Sequence, residues 1–296
     1  MKSLRVKVLI VLLLCLLGAE IAVRMAGMVD FPLYDADTNI GYIPKASQTG
    51  SFLNKNDYTF NARHMGASEF QPDAAKVDIL LVGDSVVLGG NPLRQADRLG
   101  PRLSQAVAEA NVWPISAGSW SLQNELTYLE QNKDIVSAVD AIYFVLNKGD
   151  FESASSWRCE TTHPTHRPVL ALLYLAQKYV GDWSACSVAP SPLPVPPRDV
   201  LAQLRAFMTS AEVKGKEIRF YLYPDRPEFE TREGLDEWQN RFAQQLKAAG
   251  ALKIYSVARD DRWQLDYYRD WIHPNGQGSA ALAKIMSNPA SSAWLN

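Results

Sequence analysis

A three-layer α/β/α sandwich around a central, mostly parallel sheet is the fold class this chain predicts. Three observations carry that expectation. From Val77 onward, short apolar runs suited to buried strands alternate with amphipathic stretches of helical period, the pattern of βαβ units whose sheet is covered on both faces. With 296 residues and 47% hydrophobic content, the chain can bury one large core, although its length also allows two domains. The tripeptide Gly83-Asp84-Ser85 directly follows the first apolar run, where an open α/β sheet presents its carboxyl edge to ligands.

The N-terminus stands apart from this core. Lys2, Arg5 and Lys7 lead into an uninterrupted apolar run from Val8 to Ala19, resumed as Ile21-Ala22-Val23 after Glu20. This is the basic n-region and apolar h-region of a secretory signal, and the basic flank held inside directs the rest of the chain outward. Counted on to Val29 the stretch is long enough to span a bilayer, and Glu20 and Arg24 are spaced to pair near its outer end. Leu17-Gly18-Ala19 is a poor small-x-small cleavage site, and Cys15 lacks the preceding small residue of a lipoprotein site. Residues 1–29 are therefore expected to be an uncleaved signal anchor, a single pass in the inner membrane with the remainder periplasmic.

Residues 30–75 read as an irregular approach segment packed on the core. Strands are expected at Val77 to Val82, Val112 to Ser116, Ala141 to Leu146, Glu217 to Tyr223 and Lys253 to Val257. The amphipathic stretches between and after them run from Leu99 to Ala110, Leu122 to Val136, Asp199 to Val213, Leu235 to Ala249 and Ser279 to Met286. The main domain thus covers 76–296, with a loop-rich insertion at about 151–198. A proline run, Pro190 to Pro197, reads there as a polyproline spacer or rim. Cys159 and Cys186 both fall in the insertion; spacing leaves open whether they bridge or stay as thiols. No Cys/His grouping has zinc-ligand spacing, so neither metal nor cofactor is expected. A net charge of −2 gives no reason to expect nucleic acid as a partner.

The chemistry-bearing residues lie at opposite ends of this domain. A serine hydroxyl is a weak nucleophile until an imidazole takes its proton and a carboxylate holds that imidazole. Ser85 provides the hydroxyl, and Asp270-Trp271-Ile272-His273-Pro274-Asn275 places an acid and a histidine on one side of a single turn. A Gly-Asp-Ser tripeptide occurs by chance in turns, and Asp270 with His273 could be a cap beside a surface histidine. Their joint occurrence around one sheet favours hydrolase chemistry.

Together these blocks resemble the SGNH/GDSL hydrolase superfamily, over roughly residues 76 to 286. Val82-Gly83-Asp84-Ser85 matches its first block, Ser116-Ala117-Gly118-Ser119-Trp120 its second, and Asp270 to Asn275 with Gly278 its last. The resemblance implies a flavodoxin-like sheet order, with Ser85 as nucleophile, His273 as general base and Asp270 as its orienting acid. The Ser85 and Gly118 amides would bind the oxyanion. The blander reading of Gly118 is a glycine that simply permits a tight turn. The third block departs from the family: Leu146-Asn147-Lys148-Gly149-Asp150 puts Gly149 where an asparagine is usual, and Asn147, two residues earlier, is the candidate third donor. Losing such a donor costs about 10²–10³ in rate.

The lead-in Asp37 to Tyr42 and Asn61 to Gly66 is similar to that of membrane-anchored members found with bacterial surface polysaccharide machinery. The expected function is hydrolysis of an acyl ester, an O-acetyl group above all, on an oligo- or polysaccharide, with polysaccharide-biosynthesis proteins as possible partners. An O-acyltransferase using the same triad, or a non-catalytic assembly subunit of this fold, are the alternatives. Trp120 and Trp271 adjoin the site and are candidates for sugar stacking, against the commoner use of tryptophan in cores. His64, His163 and His166 have no partner motif and are expected to be packing or surface residues.

Overall fold

The computed structural model describes residues 2–181, 186 and 190–295. The rest of the predicted insertion, together with the two terminal residues of the anchor and main-domain ranges, lies outside the described residues. The chain opens with a long exposed helix, α1 (Lys2–Met25), whose stretch Leu4–Met25 is long and apolar enough to cross a membrane.

Two antiparallel hairpins come next, correcting the expectation of an irregular approach segment. Strand β1 (Tyr34–Asp37) pairs with β2 (Gly41–Pro44), and β3 (Gln48–Phe52) with β4 (Asn56–Phe60). The Asp37 carboxylate closes the first turn by accepting from the Asn39 and Ile40 amides at 2.6 and 2.7 Å, an Asx-turn. Leu53 and Asn54 take positive φ in the second. These strands are too short and too mixed in polarity to show a period of two, so only the turn residues marked them.

The central sheet has five parallel strands: β5 (Val77–Gly83), β6 (Ala110–Ser116), β7 (Ala141–Leu146), β8 (Glu217–Leu222) and β9 (Lys253–Ser256), in the order β6-β5-β7-β8-β9. It is the predicted flavodoxin-like order. Alternation divides each strand between two cores. From β5 to β8, Leu80, Val82, Phe144, Leu146, Phe220 and Leu222 enter one core, and Ile79, Leu81, Tyr143, Val145 and Tyr221 the other. Burial on both faces is why these runs carry almost no polar residues.

The second of these cores is covered by the short α2 (Ser85–Leu88) and α3 (Leu99–Ala106), together with the C-terminal helix described below. The first is covered by α4 (Leu122–Gln131) and α5 (Lys133–Ala138) with later helices. The predicted single helix from Leu122 to Val136 is broken at Asn132. There the side-chain amide donates to the Tyr128 carbonyl at 2.9 Å and the backbone leaves helical geometry.

Within the stretch read as loop lies another correction, the helix α6 (Ala171–Tyr179). Its apolar Ala-Leu-Leu-Tyr-Leu start shows no polar face to mark it. Cys159 and Cys186 are joined by a disulfide that staples this region. The proline run stays extended, bridging Trp157 through Leu193. Beyond it come α7 (Val200–Met208), α8 (Arg226–Thr231), α9 (Leu235–Ala248) and α10 (Gly276–Ser287). Helix α10 starts ahead of its expected position because Asn275 caps the Gln277 and Gly278 amides at 3.0 and 2.9 Å.

Candidate active site

The strand order reverses direction beside β5, so the loops after β5, β6 and β7 converge at the carboxyl edge of the sheet, where open α/β folds bind ligands. The first of these loops is tight. A Cβ on Gly83 would lie 2.5 Å from Val87 Cγ2 and 3.1 Å from the Val145 carbonyl; any side chain there would push α2 off the sheet. Asp84 caps that helix by accepting from the Val86 amide at 2.8 Å, and Gly89 ends it in the left-handed conformation. One turn of helix, buried through Val86, Val87 and Leu88, thus holds Ser85 at the rim.

The loop preceding α10 meets it there. His273 Nε2 lies 2.9 Å from Ser85 Oγ, and His273 Nδ1 lies 2.9 Å from both oxygens of Asp270. Asp270 also accepts from the Ile272 and His273 amides at 3.1 and 2.8 Å, so one carboxylate folds the turn and holds the ring. Burial works against its charge, but those two amides and the imidazole outweigh burial and keep its pKa below the usual carboxylate range. An ionised Asp270 can only accept, which puts the ring proton on Nδ1 and leaves the Nε2 lone pair facing Ser85. The structure therefore brings Ser85, His273 and Asp270 together from the two ends of the domain.

Gly118, after β6, and Asn147, after β7, line the same cleft as Ser85 and His273. The glycine serves differently from the expectation. Positive φ falls on Ser119, at 61°, and not on Gly118; a Cβ on Gly118 would meet only His163 Nε2, at 3.9 Å. The Gly118 carbonyl accepts from the Tyr42 hydroxyl at 2.6 Å, which fixes the peptide leading into this strained turn. Burial raises the Tyr42 pKa, so it remains a donor. His163 stacks on Tyr42 with ring centroids 3.7 Å apart. Burial pushes it down to about 4, against a hydrogen bond to the Gly118 backbone, which keeps the ring neutral. Tyr42 closes the lead-in Asp37 to Tyr42 but had no role at the site in the sequence reading, and His163 lay in no motif; the two become neighbours only after folding.

Asn147 caps the turn Lys148–Phe151 by accepting from the Gly149 amide at 2.7 Å, while its own side-chain amide donates to Asp84 Oδ2 at 2.9 Å. Gly149 thus contributes its backbone to this cap, and the Asn147 amide group has a second N–H.

Two further carboxyls missed from sequence, Glu125 of α4 and Asp150, are buried near Asp84. Both Glu125 oxygens and Asp150 Oδ1 lack a hydrogen-bond partner among the described residues. Burial, reinforced by the charge of Asp84, pushes both carboxyls well above the ordinary range. Asp84 itself is raised by burial, against the Val86 amide, His273, Asn147 and the Ser85 hydroxyl.

The cleft encloses about 450 Å³, and Ser119, Ser121, Ser153 and Ser155 are among the residues that line it. The two tryptophans differ. Trp120 is 2% exposed, with its indole N–H donating to the Tyr42 carbonyl at 2.7 Å; it forms part of the wall. Trp271 is 63% exposed at the mouth. His64 Nδ1 donates to the Pro44 carbonyl, 2.8 Å away, and His166 lies beside Glu160, so neither reaches the cleft.

Fold and site together define a parallel α/β protein carrying a Ser-His-Asp arrangement in an open cleft. No family model and no curated protein matches the chain. Among solved structures it is similar to a lipase from a goat-rumen metagenome, at 13% identity over 71% of this chain and 96% of that one, TM-score 0.39. It is also similar to a member of the lipolytic G-D-S-L family from Veillonella parvula, at 15% identity over 72% and 98%, TM-score 0.40. A psychrotrophic esterase from Pseudoalteromonas sp. aligns at 12% identity over 70% and 92%, TM-score 0.37. The chemistry proposed next rests on the geometry of the site itself.

Proposed function

We infer that this chain is a serine-dependent acyl-ester hydrolase of the SGNH type, removing O-acyl groups from glycan outside the cytoplasmic membrane. The observation that carries the reading is the 2.9 Å approach of His273 Nε2 to Ser85 Oγ, with Nδ1 held by an ionised Asp270. Ser85 Oγ attacks the acyl carbonyl as its proton passes to Nε2, and Asp270 balances the imidazolium that forms. The amides of Ser85 and Gly118, with the second N–H of Asn147, receive the oxyanion. The imidazolium then protonates the departing sugar oxygen. A water molecule, deprotonated by the same ring, releases the acyl group from Ser85.

The glycan reading is supported by the serine and Glu152 side chains lining the cleft and by the exposed face of Trp271 at its mouth, since an aromatic face beside hydroxyl-binding groups suits a sugar ring. The extracytoplasmic setting is supported by α1 and its basic flank. The test is turnover of an activated acetyl ester, and of acetylated oligosaccharide, by the detergent-solubilised full chain and its Ser85→Ala variant. Free acetate released by the parent and lost in the variant, with unfolding unchanged, is expected. Acetylated acceptor sugar in place of acetate would identify a transferase, and activity retained in Ser85→Ala would remove serine catalysis altogether.

A further inference from the structure

Helix α6 is apolar on two sides. Its inner side, Ala171 and Tyr174 with Leu175, packs on Val29 and Phe31 just past the end of α1. Exposed apolar side chains surround that helix: Val169 at 84% and Leu170 lead into it, Leu173 at 45% lies within it, and Val180 at 82% follows its end. Val169, Leu170 and Leu173 line one stretch of surface together with Tyr174 and Gln177. A short helix with a bare apolar face is unusual on a water-facing surface.

The helix is also bolted to the membrane-spanning segment. Glu20 of α1 accepts from the Ala171 and Leu172 amides at 2.8 and 3.0 Å, capping α6, and Arg24 donates to the Pro168 and Val169 carbonyls at 2.9 and 2.8 Å. These bonds set the depth of α6. A hydrocarbon core of about 30 Å takes roughly 20 helical residues at about 1.5 Å each. Counted from Leu4 such a span ends at Val23, and the helix itself ends at Met25. Glu20 then sits about 5 to 8 Å inside the outer boundary, the depth at which interfacial helices bury their apolar faces.

We propose that the outer face of α6 is a membrane-contacting surface, seated in the outer interfacial layer of the bilayer that α1 crosses. The occupant is lipid: Val169, Leu170 and Leu173 meet acyl chains. Tyr179, also exposed, and Lys178 flank the face as interfacial residues commonly do. The proposal rests on the reading of α1 as a retained anchor.

The test uses the full chain carrying Cys15→Ser, with the Cys159–Cys186 disulfide intact, in phosphatidylethanolamine–phosphatidylglycerol vesicles containing a lipid with a nitroxide high on its acyl chain. An environment-sensitive fluorophore is placed in turn at Leu12→Cys in α1, Leu173→Cys in α6 and Leu252→Cys, an exposed position ahead of β9. Blue-shifted, nitroxide-quenched fluorescence at 12 and 173, with none at 252, is expected. Quenching at 12 with position 173 as bright as 252 overturns the surface and leaves the anchor standing. No quenching at 12 removes the anchor and the surface with it. Equal quenching at 173 and 252 overturns the proposal in favour of general adsorption of the domain.

Discussion

Replacing Asp270 by Asn separates the two tasks that one carboxylate performs. Its Oδ1 accepts the Ile272 and His273 amides at 3.1 and 2.8 Å, and an Asn carbonyl can keep both, so the turn should still fold. The Asn Nδ2 then stands where Oδ2 now lies 2.9 Å from His273 Nδ1, setting N–H against N–H. The ring relieves that clash by carrying its proton on Nε2, where it points at Ser85 Oγ and can no longer take a proton. A wrong tautomer of this kind lowers kcat by about 10⁴, or about 5.4 kcal/mol of barrier at 1.36 kcal/mol per decade. The loss should fall on kcat with KM little changed, because Asp270 touches no substrate atom in this reading. Folding should lose only about 1 kcal/mol, for one exchanged acceptor. The assay is steady-state hydrolysis of an acetyl ester by the full chain, with thermal unfolding in parallel. A variant that keeps more than about a tenth of kcat would refute the tautomer mechanism. Collapse of the fold would refute the claim that the backbone amides are satisfied by Asn.

Two other predictions concern groups that only folding reveals. In Glu125→Gln the sign follows from the raised pKa: between the unfolded carboxyl value and the higher folded one, the native state keeps a proton that the unfolded state has lost. Wild-type stability therefore falls with rising pH by up to about 1.4 kcal/mol per unit for this group. Glu125→Gln should match wild type at the ordinary carboxyl pKa and exceed it progressively as the pH rises above that value; denaturation curves that stay parallel over that rise would show that Glu125 is already ionised in the fold. Tyr42→Phe removes the donor to the Gly118 carbonyl at the cost of one hydrogen bond. It is expected to lower kcat by about tenfold, a loss of about 1.4 kcal/mol in oxyanion binding, with KM held. Unchanged kcat would detach the hairpin from the chemistry.

The sheet and the Ser85 turn were legible because their signals are local. Strand β7 is apolar at every position since both faces are covered, and Gly83-Asp84-Ser85 places its tight turn directly after a buried strand. Asp270 and His273 lie close enough in sequence for one turn to unite them. What escaped sequence reading depends on contacts across long separations. Tyr42 and Gly118 are 76 residues apart, and Glu125 looks like any helical glutamate until α4 is packed against the sheet. The first hairpin was missed because four-residue strands show no alternation, and α6 because its nine residues lie between the two cysteines, inside a stretch read as loop. Gly118 was misjudged for a related reason. A glycine in a turn suggests positive φ, yet its neighbour Ser119 carries that strain, held in place through Tyr42 and Ser155.

The hairpin that delivers Tyr42 has a practical corollary for anyone trimming this protein. A soluble version begun at residue 76, where the sheet starts, would discard the hydroxyl that steadies Gly118 and the carbonyl that receives the Trp120 indole. Such a fragment could keep its five strands and still fail as an enzyme, its inactivity an artefact of where the knife fell. The hairpin ahead of the sheet braces the cleft wall from behind through Gly118 and Trp120, and truncation should stop short of Tyr34.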